Sequence, residues 1–95
     1  MNRPEIFEKV KHIVETIVDV PKGVSLTEST RLKEDLAADS LDGVDIAVQL
    51  DFDFGIDTDD QDIERINNGT LSDIVDLVEV SLKKKKSDDK SENKH

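Results

Sequence analysis

The stretch 35-DLAADSLDGVDIAVQLDFDFGID-57 contains a helix with two apolar faces. Turned at about 100° per residue, Ile46, Ala47, Leu50 and Phe54 gather on one side. Leu41, Val44, Val48 and Phe52 gather on the other. The helix is expected from about Ser40 to Phe54, stopping at Gly55. A chain of 95 residues offers one core, which takes one apolar face and leaves the second unexplained. Ser40 stands at the entrance between Asp39 and the Leu41-Asp42 pair. With Asp39 as N-cap and Asp42 three positions on, Ser40 falls at the first helical position with its hydroxyl free. A phosphate ester there would meet unpaired backbone N–H groups and the positive end of the helix dipole. Taken alone, the Asp-Ser dipeptide reads more readily as an ordinary helix start with two candidate caps.

Outward from this helix, three more segments carry helical spacing. The first follows Asn2 and Pro4, with Glu5 placed to complete a capping box on Asn2. Its apolar positions are Ile6, Val10, Ile13, Val14 and Ile17, with Phe7 beside them, and it ends before Pro21 and Gly23. A short third helix runs from about Asp60 to Asn67, offers Ile63 and Ile66, and meets "NNG", a C-cap signal. The fourth starts after Thr70, a candidate N-cap with Asp73 three residues on, and carries Leu71, Ile74, Val75, Val78 and Leu82. Residues 19–38 form a long connection in which Val24, Leu26, Leu32 and Leu36 are expected to pin the chain, with a helical turn near 32–37. Connections of this length are uncommon in compact domains and are often functional. No segment alternates as a strand should and no repeat is visible. The expected fold is all-α, a small four-helix bundle with a long first connection and a short third helix.

Charge and composition narrow the function. Residues 1–82 hold 20 acids and 7 Lys or Arg, a net of −13, whereas residues 83–95 have a net of +3. The division expected is a domain over 1–82 and a lysine-rich tail over 83–95 that has nothing to bury and is expected to fray or be disordered. The acidic body repels nucleic acid and anionic membranes and favours basic protein surfaces. No apolar run approaches the ~20 residues that span a bilayer, and no signal-peptide pattern opens the chain. Cysteine is absent, which removes disulfides, thiolate metal sites and a cysteine nucleophile. The expectation is a monomeric protein of a reducing compartment, the cytoplasm. His12 and His95 have no sequence partners for a catalytic triad, so no catalytic residue is assigned. The acid-rich "DFDFGIDTDDQD" invites a calcium-loop reading, but both registers fail. Starting at Asp51, the glycine place holds Ile56; starting at Asp57, it holds Asp62 and the twelfth place holds Asn68. No metal site is assigned.

Asp35-Leu36, then Ala38-Asp39-Ser40-Leu41-Asp42, an apolar and acidic helix, Phe54-Gly55-Ile56 and "GTLSDIVDLVE" stand in this order. The set resembles the prosthetic-group attachment region of acyl carrier proteins, and the resemblance spans about residues 5–82. It implies that a phosphopantetheinyl transferase recognises Asp39, Leu41 and Asp42 and uses coenzyme A to attach 4'-phosphopantetheine to Ser40. It also implies a non-enzymatic carrier of acyl thioesters in fatty-acid or specialised lipid biosynthesis. The second apolar face then becomes a docking strip for basic-surfaced acyl-transferring enzymes, formed by Val44, Val48 and Phe52 and rimmed by Asp42, Asp45 and Asp51. Carriers of aminoacyl, D-alanyl or polyketide units share these features, and an unmodified acidic interaction or calcium-binding module is the rival from another class.

Three positions depart from the common pattern of that family. Phe52 replaces an acid on the outer face, which suggests a specialised partner set. Ala37 replaces a glycine before the attachment motif. Gly43 replaces a larger residue in the first turns of the helix, where glycine costs about 1 kcal/mol against alanine. With Ile46, Ala47, Leu50 and Ile66, Gly43 outlines a candidate cavity for a long or bulky acyl chain, close helix packing being the other reading.

Overall fold

The computed structural model describes the backbone of residues 1–93 and the side chains of residues 1–84. Helix α1 (Arg3–Ile17) opens on the expected capping box, in which Asn2 accepts from the Glu5 amide at 3.0 Å and Glu5 reaches back to the Asn2 amide. It buries Ile6, Val10, Ile13 and Val14 against the rest of the bundle. The expected helical turn is a short helix, α2 (Leu32–Leu36), followed by α3 (Ser40–Phe54), α4 (Asp60–Asn68) and α5 (Leu71–Asn93). Helix α1 packs chiefly on α5 and α3, and α3 packs chiefly on α4. Over the tail expected to fray at 83–95, the backbone continues as α5 to Asn93; the side chains from residue 85 on, and residues 94 and 95 altogether, lie outside those described. Among the described residues no helix is long and apolar enough to cross a membrane.

The long connection is held by backbone pairing as well as by its apolar side chains. The amides of Leu71 and Ser72 donate to the carbonyls of Thr30 and Glu28 at 3.0 and 2.9 Å, and an isolated antiparallel bridge joins Arg31 to Thr70. Leu26, Leu32 and Leu36 are buried as expected. Val24 is exposed, which corrects its expected pinning role: it follows Gly23, whose φ of 84° turns the chain at the surface. The buried polar residue Thr30 takes a structural part instead, its Oγ1 accepting from the Thr27 amide at 2.9 Å. Arg3 locks the same region from the other side. Its guanidinium donates to Glu28 (3.1 Å from Nε), Asp76 (2.7 Å), Glu79 (2.6 Å) and Ser72 (3.0 Å), joining α1, the connection and α5. These acids and hydrogen bonds hold the guanidinium pKa above its already high ordinary value.

The helix ends follow local chemistry with one exception. Gly55 adopts a left-handed φ of 65° and stops α3, and Ile56 then turns inward. Thr70 caps α5 with Asp73 in reciprocal hydrogen bonds of 2.9 and 3.2 Å. At "NNG" the helix ends where expected, but Gly69 is extended (φ −110°) rather than left-handed. Its missing side chain serves close approach, since a Cβ there would lie 2.7 Å from the Arg65 carbonyl oxygen. Leu77, absent from the expected stripe of α5, is buried beside Ile74, Val75 and Val78.

Candidate functional site

Ser40 is presented by the residues on either side of it. Upstream, α2 closes at Ala37, which takes a left-handed φ of 55°, while the Ala38 amide returns to the Leu32 carbonyl at 3.0 Å. This closure is a position glycine fills without steric cost, and alanine fills it here at a cost. Asp39 then caps α3: its Oδ1 accepts from the Asp42 amide at 2.9 Å, and Asp42 Oδ2 accepts from the Asp39 amide at 3.0 Å. Because Asp39 takes the cap, Ser40 is the first helical residue, exposed, with a hydroxyl that makes no hydrogen bond among the described residues. The amides of Ser40 and Leu41 belong to the first turn and have no intrahelical acceptor.

Helix α3 divides as its periodicity predicts. Gly43, Ile46, Ala47, Leu50 and Phe54 are buried, whereas Leu41, Val44, Val48 and Phe52 are exposed, Phe52 at 84%. Val48 is 62% exposed and Val44 40%. Asp45 is exposed beside this strip, and Asp42 is half-buried through its capping bond. Asp51, at the far end of the expected acidic rim, has a second role. It is half-buried and accepts from the Thr58 amide (3.0 Å) and hydroxyl (3.2 Å), tying down the loop after α3. Beside Ser40 lies a pocket of about 270 Å³ between α2, α3 and α4, whose lining includes Lys33, Ala38, Asp39, Ser40, Ile63 and Asn67.

A profile of the phosphopantetheine attachment site family matches residues 8–78. The acyl carrier protein of Thermotoga maritima is 42% identical over 81 residues, 85% of this chain and 96% of its own length. Those of Thermosynechococcus vestitus and Lactobacillus acidophilus are each 37% identical over 78 residues, 82% of this chain and 93% and 94% of their own lengths. The chain belongs to the acyl carrier protein family. The prosthetic group of this family is 4'-phosphopantetheine, covalently attached, and its members work with phosphopantetheinyl transferases and acyl-handling enzymes. The residues present fit such a group. A free hydroxyl stands at a helix N-terminus where a phosphodiester is favoured, in a chain with no thiol of its own.

For this carrier the cavity expected beside Gly43 requires a correction. A Cβ built on Gly43 would overlap the Asn67 carboxamide, its Nδ2 at 2.9 Å. The absent side chain therefore admits Asn67 of α4, and close packing is the reading that holds at this position. Ile46, Ala47, Leu50 and Ile66 are all buried in the common core, and none lines the pocket beside Ser40. Lys33, Asp60, Ile63, Glu64, Asn67 and Asn68 line that pocket, and sequence reasoning named none of them as site residues. Asn67 lies 24 positions from the glycine it covers, and no local pattern announces that pairing.

Proposed function

We propose that the chain carries acyl intermediates as thioesters on a 4'-phosphopantetheine arm joined to Ser40, in fatty-acid or specialised lipid biosynthesis, and catalyses nothing itself. The observation that carries this reading is the uncommitted Ser40 hydroxyl at the first position of α3, left free because Asp39 takes the cap. In attachment, the Ser40 oxygen loses its proton and bonds to the pantetheine-side phosphorus of coenzyme A. The P–O bond within the pyrophosphate breaks and the nucleotide half leaves. The two uncommitted amides of the first turn and the helix dipole favour the anionic ester, by about 0.3–1 kcal/mol for an exposed charge. When bound, the group supplies the thiol that the polypeptide lacks.

Around that anchor, Leu41, Val44, Val48 and Phe52 offer an apolar strip to the transferase and to acyl-handling enzymes, while Asp39, Asp42 and Asp45 attract basic rims. The exposed Phe52 supports a specialised partner set, since a large ring left in water on a docking face is an anchor for a matching pocket. The monomer is the working unit, and the cytoplasm suits a cysteine-free carrier. Intact mass after incubation with coenzyme A and a broad-specificity transferase tests the assignment. One phosphopantetheine is gained by the native chain and none by Ser40→Ala. A gain retained in Ser40→Ala, or absent from the native chain, overturns it.

A further inference from the structure

The segment that carries Ser40 has little burial to hold it. Leu36 and Gly43 are buried, but between them Ala37, Asp39, Ser40 and Leu41 are exposed, and Ala38 and Asp42 are half-buried. Both flanks are anchored. Upstream, the chain entering α2 pairs in register with the start of α5. The Glu28 and Thr30 carbonyls accept from the Ser72 and Leu71 amides, Arg31 bridges Thr70, and the Leu32 amide reaches the Gly69 carbonyl at 3.4 Å. Downstream, the buried Ile46, Ala47 and Leu50 fix α3 in the core. The two bodies meet at a joint in which the Ala37 and Ala38 amides both return to the Leu32 carbonyl. A segment with so few buried contacts opens at lower cost than the bodies it connects.

Ala37 biases this joint toward opening. With φ 55° and ψ 33° it is left-handed, and among the described residues it is the one residue other than glycine at positive φ. An L-residue there is drawn toward other conformations by about 5–30-fold, a bias that glycine lacks. The hydrogen bonds on either side hold Ala37 against that bias. Strain of this kind persists only where the surroundings enforce it, and it collects at sites that move. Here it stands three positions before the serine. Resting on the assignment of Ser40, we propose that Ala37 is a positioning residue for attachment. Its departure from the left-handed region frees the Ala38 amide from α2 and swings Asp39 and Ser40 clear, and the transferase binds this opened form. In-line attack places the serine oxygen and the departing phosphate oxygen on opposite sides of phosphorus, so both halves of coenzyme A must fit around Ser40. A segment clear of α2 gives them room.

The experiment compares three forms of the full chain: the native one, Ala37→Gly, and a synthetic chain with D-alanine in place of Ala37. The chain has no cysteine, so it can be assembled by ligation and desulfurised at an alanine. D-alanine favours the left-handed region as strongly as L-alanine avoids it, and glycine stands between them. Ala37 is exposed, so these changes leave the core untouched. The mass gain from coenzyme A and a transferase, and its loss in Ser40→Ala, verifies the anchor first; failure there overturns the Ser40 assignment and the role of Ala37 together. With the anchor verified, kcat/KM for attachment should fall from the native chain to Ala37→Gly to the D-alanine chain, by about 5-fold or more overall. The loss should lie in KM, because only chains already open bind. Hydrogen-exchange protection of the Ala38 amide should rise in the same order, and so should stability in urea. If Ala37 only shaped the fold, the more stable chains would be equal or better substrates. Equal kcat/KM across the three forms, a better D-alanine substrate, or a loss confined to kcat overturns the role of Ala37 while leaving the attachment site standing.

Discussion

Along α3, Ile46, Ala47, Leu50 and Phe54 are between 0% and 7% exposed, whereas Leu41, Val44, Val48 and Phe52 are between 40% and 84% exposed. The two strips lie on one helix and draw on the same residue types, so hydrophobicity does not separate them. Neighbours do. The inner strip meets α1, α4 and α5, and the outer strip is left largely open among the described residues. The comparison teaches that one helix of a small carrier can build the core with one side and leave the other for the docking proposed above, with Ser40, the proposed attachment site, at the end both sides share.

Substitutions that treat the two strips alike would break this comparison. Leu50→Ala should cost about 2–5 kcal/mol of stability in urea denaturation, because it opens a cavity in the common core. Phe52→Glu removes a larger apolar group, yet should change stability by no more than about 0.5 kcal/mol, since the ring is already in water. Equal costs for the two would remove the distinction. At the seam between α3 and α4, Gly43→Ala should stabilise an Asn67→Ala background by about 1 kcal/mol through helix propensity alone. In the native background the new methyl must first displace Asn67, and the gain should shrink; identical gains in both backgrounds would mean that Asn67 does not occupy that space. Ala37→Gly gives the smallest gain, about 0.5–1 kcal/mol. Relief of the left-handed strain is partly offset by the freedom glycine adds to the unfolded chain. A loss of stability there would contradict the left-handed closure at Ala37.

What the sequence made legible was local. The capping pairs Asn2 with Glu5, Asp39 with Asp42 and Thr70 with Asp73 each span three residues, so spacing alone announces them. The division of α3 was likewise legible, being a matter of angle around one helix, as was the family, from the ordered motif about Ser40. Contacts between distant segments were not. Arg3 reaches Asp76 and Glu79 across more than 70 positions, and nothing near Arg3 marks it as a lock. Asp51 read as an outward acid because its partner, Thr58, sits past a turn whose path the sequence does not reveal. Gly43 read as empty space for the same reason: a glycine shows where a side chain is missing and not what fills the gap.

The central claim is that Ser40 and the outer strip of α3 form one surface for visiting enzymes. Titrating the isotope-labelled unmodified chain with a phosphopantetheinyl transferase and mapping amide shifts tests it most directly. The largest changes are expected at Ser40, Leu41, Val44, Asp45 and Val48, with the exposed side of α1 unmoved. Changes centred on α1 or α5, with the outer strip of α3 silent, would contradict the account.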